Sequence, residues 1–192
     1  MRVALVPPAS SLALLLLVFP AVARAEHPPD PFAAQYKVPE DHDVGTAAGQ
    51  FRAIGSGLVA LGRAGPELGL HGTLELMTFA YLGVRGSLET TLLRPSGEPM
   101  LLAGKLGPSL HFLPYRPVDF SLFFEAGVAG VDLTGQPTAM PIVSPGATIE
   151  IWLASWAFLR AEGHLDWGIY ESSDAPRAYL RLMGAGGLGI AM

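Results

Sequence analysis

From Glu67 to Phe79 the chain reads ELGLHGTLELMTF. Leu68, Leu70, Leu74 and Leu76 fall on one side of a period-two pattern; Glu67, His71, Thr73 and Glu75 fall on the other. Side chains alternate faces along a strand but recur every three to four residues along a helix. This stretch is therefore predicted to be a strand with one apolar and one polar face. Tyr81 to Arg94 (YLGVRGSLETTLLR) repeats the pattern, with Leu82, Val84, Leu88 and Leu92 opposite Arg85, Ser87, Glu89 and Thr91.

The same period continues on both sides of these segments. Leu102, Leu106, Leu110 and Phe112 alternate with Lys105, Ser109 and His111, and Leu122, Phe124, Ala126 and Val128 with Ser121, Glu125 and Gly127. Ala147, Ile149, Ile151 and Leu153 alternate with Thr148 and Glu150. Leu159, Ala161, Leu165 and Trp167 alternate with Arg160, Glu162, His164 and Asp166, and Leu180, Leu182, Leu188 and Ile190 with Tyr179 and Arg181. Gln50 to Gly62, rich in glycine, carries the pattern least clearly. Eight strands of about 10 to 15 residues are expected, long for a globular sheet.

The connections alternate too. Those at Arg63–Pro66, Pro95–Pro99, Asp132–Ser144 and Glu171–Arg177 are longer and more polar than those at Ala80, Pro114–Val118 and Ala154–Trp156. An up-and-down meander puts the two kinds at opposite ends of the sheet. Closing eight such strands into a barrel removes both edges.

The N-terminus has a different character. Arg2, the apolar run Leu12 to Phe19 and the small-x-small site Ala23-Arg24-Ala25 make residues 1–25 a secretory signal peptide, the run being too short for a membrane-spanning helix. Residues 26–49 hold Pro28, Pro29, Pro31 and Pro39 among acids and are expected to be a flexible arm. Residues 50–192 are the barrel. Export by the general secretion pathway follows from this organisation.

Composition narrows the class. Of 192 residues, 50% are hydrophobic and 15% charged, against about 25% charged in an ordinary soluble domain. There is no cysteine, which excludes disulfides, thiolate metal sites and a cysteine nucleophile. The net charge of −5 becomes more acidic once Arg2 and Arg24 are removed, and no basic cluster offers a nucleic-acid surface.

Alternation alone does not say which face is outside. The polar face is poor in lysine; Lys37 and Lys105 are the only two in the chain. A solvated surface carries more. Glu75, Arg85, Glu89, Lys105, His111, Glu125, Glu150, Arg160, Glu162, His164 and Arg181 lie mid-strand on that face with both signs of charge. Inside a narrow barrel they would pair and form a polar interior network. Aromatics gather near strand ends: Phe79 and Tyr81; Phe112, Tyr115 and Phe120; Trp152, Trp156 and Phe158; Trp167, Tyr170 and Tyr179. Interfacial girdles of membrane barrels have this placement.

On these grounds Gln50 to Met192 resembles the small eight-stranded OmpA/OmpX-type outer-membrane barrels. The last strand, Gly187-x-x-Ile190-x-Met192, resembles the glycine-then-alternating-apolar end that such proteins present to the barrel-assembly machinery, with Met192 in place of the usual terminal aromatic. The resemblance implies an all-β fold, an eight-stranded antiparallel up-and-down transmembrane β-barrel in the outer membrane of a Gram-negative envelope. It also implies outer-membrane lipids as surroundings, both termini and the short turns in the periplasm, and the long loops outside. The expected role is structural or surface-interacting, with a plugged polar interior, since eight strands leave room for little beyond side chains. Two other readings are a soluble periplasmic calycin-like barrel, with its apolar face inward around a lipid, and an outer-membrane lipid A-modifying enzyme.

No catalytic constellation stands out, and neither a cofactor nor a metal site is expected. The spacing of His71, His111 and His164 matches no metal motif. The H-x-S motif of lipid A deacylases is missing; His164-Leu165-Asp166 has Asp in its place. Ser109 and His111 share a face about 7 Å apart along a strand, too far for a nucleophile and its base. The protein is therefore expected not to be an enzyme.

Overall fold

A computed structural model describes residues 45–61, 65–93, 100–132, 137–171 and 176–192. Residues 1–25, expected to be a signal peptide, and residues 26–44 of the expected arm lie outside the described residues. Eight strands follow one another: β1 (Phe51–Leu61), β2 (Pro66–Phe79), β3 (Leu82–Leu93), β4 (Met100–His111), β5 (Val118–Asp132), β6 (Pro137–Ala154), β7 (Ala157–Glu171) and β8 (Pro176–Ala191). Each pairs antiparallel with the next, and β8 returns to β1, closing the barrel. No free edge remains to pair with another chain.

The two faces separate cleanly. Leu68, Leu70, Leu74 and Leu76 point outward and are 41–56% exposed, whereas His71, Thr73 and Glu75 between them are buried in the lumen. The same split runs through the other strands, so the outer wall is a band of leucine, valine, isoleucine and phenylalanine. Such a surface is stable against hydrocarbon and not against water. It is also the reverse of what a soluble lipid carrier needs.

Three sequence expectations change. First, Asp132 to Ser144 is mostly strand: β5 runs to Asp132 and β6 begins at Pro137. Pro141 and Pro145 project from the outer wall. The ladder tolerates Pro145, which lacks an N–H, through a local gap: β6–β7 pairing passes from Val143↔Trp167 to Gly146↔His164. Pro108 leaves a similar gap between β4 and β5.

Second, Trp152 and Phe158 belong to the lumen and not to an interfacial girdle. Their rings lie 4.8 Å apart, tilted by 37°, beneath the Arg52 guanidinium, and Phe158 is fully buried. Phe158 fits because its register partner is Gly189, where a Cβ would sit 2.2 Å from the ring. Trp156, Phe112, Phe120 and Trp167 do face outward.

Third, the lumen is layered and not polar throughout. Leu58, Leu101, Met140, Ile142 and Met183, with alanines, form an apolar layer toward the end bearing the odd-numbered loops. A smaller cluster of Ile54, Trp152, Phe158 and Ala191 lies toward the end with the short turns and both strand termini. Where neighbouring residues are all apolar, as around Leu58 and Met140, period two leaves no mark on the sequence.

Candidate functional site

Below the larger apolar layer, and alongside the smaller cluster, runs one connected set of ion pairs. It begins with Asp119 at the foot of β5, whose Oδ2 lies 2.7 Å from Nδ1 of His111. Nε2 of His111 lies 3.2 Å from Glu75, which also accepts from the Ser109 hydroxyl and pairs with Arg52 at 3.2 Å. Arg52 bonds Glu150 as well. Arg160 carries the chain upward, 3.5 Å from Glu75, 3.6 Å from Glu150 and 3.3 Å from Glu162.

Arg85 is the hub of the middle. Its Nε donates to Glu125 at 3.1 Å, its Nη2 donates to both oxygens of Glu162 at 3.0 Å, and its guanidinium lies 3.7 Å from the centre of the Phe123 ring. Gly146 leaves room for that ring, since a Cβ there would lie 2.2 Å from it. Ser87 donates to the second oxygen of Glu125 at 3.0 Å.

Above Arg85, two imidazoles and two carboxylates alternate in a ring. His71 lies 3.5 Å from Glu89 and 3.4 Å from Glu162; His164 lies 3.3 Å from Glu89 and 3.2 Å from Glu162. Lys105 closes the group, donating to Glu89 at 2.9 Å and to Asp166 at 3.1 Å. Arg181 stands apart: it pairs with Glu67 and donates to the Tyr179 hydroxyl at 2.9 Å, beyond the apolar layer.

All eleven residues expected on the polar face are thus buried in the lumen, ten of them in one network and Arg181 in a separate pair. Arg52 and Asp119 were missed. Arg52 sits in the glycine-rich first strand, and Asp119 follows a proline turn. Counting back in twos from Ser56 and Ser121 would have placed both on the polar face.

Chemically, each arginine and lysine of the network is paired with carboxylates of the lumen. Glu89, His164 and Asp166 lie close enough to ligate a metal, as do His111, Asp119 and Glu150. The Lys105 ammonium occupies the first group and the Arg52 guanidinium holds Glu150 in the second. Ser109 and His111 both point at Glu75 inside the lumen, away from any acyl chain. The outer wall holds a shallow, mainly apolar depression of about 930 Å³ lined by Gly55, Gly72, Gly86 and Gly104 and by leucines.

This geometry defines a class, the small membrane barrel with an ion-paired lumen, and the comparisons agree on the fold. The chain is similar to neisserial surface protein A, with TM-score 0.54, 14% identity, and 73% of this chain and 95% of that one covered. It is similar to the outer membrane protein OprG of Pseudomonas aeruginosa, with TM-score 0.54, 10% identity and coverage of 79% and 99%. A third is the N-terminal β-barrel domain of Pseudomonas aeruginosa OprF, with TM-score 0.50, 15% identity and coverage of 76% and 98%. No protein-family model matches the chain, and no curated protein matches it in sequence. The fold is that of the small eight-stranded outer-membrane barrels.

Proposed function

We propose that this chain is an outer-membrane barrel with a closed lumen, serving a structural or surface-interaction role and not an enzymatic one. The observation that carries the reading is the pairing of an apolar outer wall with a lumen filled by ion-paired side chains. Burying charges is costly unless they meet partners, and these meet one another across the lumen. The outer wall meets membrane lipids, the odd-numbered loops face the exterior, and β8 engages the assembly machinery during insertion.

Three experiments test this. The protein should fractionate with outer membranes and migrate faster on gels before boiling than after. Recovery in periplasmic fluid without such a shift would end the reading. Reconstituted in planar bilayers, it should give no stable conductance. A sustained channel at neutral pH would remove the closed lumen. An epitope inserted between residues 133 and 136 should be labelled on intact cells if that end faces outward.

A further inference from the structure

Residues 45–50 precede β1 and hold an unusual position. At one end they join β2: the Gly49 N–H donates to the Met77 carbonyl at 2.7 Å, and the Met77 N–H to the Gln50 carbonyl at 2.9 Å. At the other end they join the turn between β4 and β5, where the Tyr115 N–H donates to the Thr46 carbonyl at 3.1 Å. In the closed barrel β1 is flanked by β2 and β8, and the β4–β5 turn stands across the lumen from it. The segment therefore spans the mouth of the barrel at the end holding the strand termini.

Its contacts are those of a fitted part. Thr46 is fully buried, and its hydroxyl donates to Oδ2 of the fully buried Asp119 at 2.7 Å. A buried hydroxyl needs such a partner. Gly45 has φ +127°, and a Cβ there would lie 2.7–2.8 Å from the backbone of Tyr115 and Arg116. Tyr115 adopts φ 59°, a left-handed conformation that costs a non-glycine residue and persists only where its surroundings impose it. Both distorted residues lie at the point where the segment meets the turn.

The segment also connects to the lumen. The Asp119 oxygen that accepts from Thr46 is the one that faces His111, and through Glu75 and Arg52 it leads into the main network. The other Asp119 oxygen accepts from the Leu113 N–H at 3.1 Å. Toward the opposite end lies the apolar layer around Leu58 and Met140.

We infer that residues 45–50 are a strap sealing the inner mouth of the barrel, latched by Thr46 onto Asp119, and that unlatching admits water to the lower ionic cluster while the far end stays closed. The strap deepens the closed-lumen reading by naming the part that can open. Apolar layers have no equivalent release, whereas the strap meets the turn through the Thr46 hydroxyl on Asp119 and the Tyr115 N–H on the Thr46 carbonyl.

The absence of cysteine makes the test direct. Ser121, buried just above Asp119, is replaced by Cys in the full chain and exposed to a small water-soluble thiosulfonate. Labelling should be slow with the strap intact and at least about tenfold faster when Thr46→Val or Gly45→Val is added. Ala129→Cys, in the far apolar layer, should stay unlabelled in every background, and the gel shift on boiling confirms a folded barrel. Equal labelling of Ser121→Cys with and without the strap changes would overturn the inference, whether uniformly fast or uniformly slow. Conductance of the unaltered barrel would instead overturn the closed-lumen reading, so the two failures are distinguishable.

Discussion

Arg85 shows how much one side chain can hold. It touches Glu125, Glu162 and the Phe123 ring, all within the lumen. Replacing it with methionine keeps the bulk and removes the charge, leaving two carboxylates without their main partner. Breaking a buried pair in this way costs about 3–5 kcal/mol. Arg85→Met should lower the urea midpoint of the detergent-folded barrel by a corresponding amount, while Arg85→Met combined with Glu125→Gln and Glu162→Gln should recover much of it. No recovery in the triple variant would mean that the packing of the guanidinium, and not its charge, matters. This part of the lumen was readable: Arg85, Glu125 and Glu162 each sit mid-strand on a clear period-two face. The partners were not, because they come from β3, β5 and β7, and sequence does not give distances across a lumen.

At the scale of the element, glycines decide where large side chains fit. Gly189 of β8 lies against Phe158 of β7, and Gly146 of β6 against Phe123 of β5. Gly189→Ala places a methyl where the ring now lies, and the ring cannot retreat because Arg52 and Trp152 enclose it. Overpacking of this kind costs about 1–3 kcal/mol. Thermal unfolding in detergent should show the loss, and Gly186→Ala, with open space on the outer wall, should show little. A larger loss at Gly186 would contradict the assigned faces. The strands were legible from alternation, but β6 was not legible along its first half. Its prolines signal a turn locally, and only pairing with β5 along Asp132↔Pro137 to Val118↔Ile151 makes it strand.

For the whole molecule, the outer wall sets the environment. Leu88 lies midway along β3 and is 58% exposed; Leu61 lies at the end of β1 near the odd-numbered loops. In a bilayer, arginine costs about 2–4 kcal/mol at the midplane and about 0–1 kcal/mol near the interface. Leu88→Arg should therefore reduce folding into lipid vesicles far more than Leu61→Arg. Equal effects would argue that this surface does not sit in hydrocarbon. The depth dependence is a property of the assembled barrel, since both residues look alike as single positions in a pattern.

The sequence by itself determined the number of strands, their alternation and the grouping of charged residues on one face, because each of these is a local property with period two. It could not locate the apolar layers of the lumen, the inward turn of Trp152 and Phe158, or the strap over the mouth. Those depend on which strands stand opposite one another once the sheet closes. Closure brings Thr46 to Asp119 and Arg52 to Glu150 across 73 and 98 residues of chain, and contacts at that separation are set by register and curvature and not by neighbouring residues.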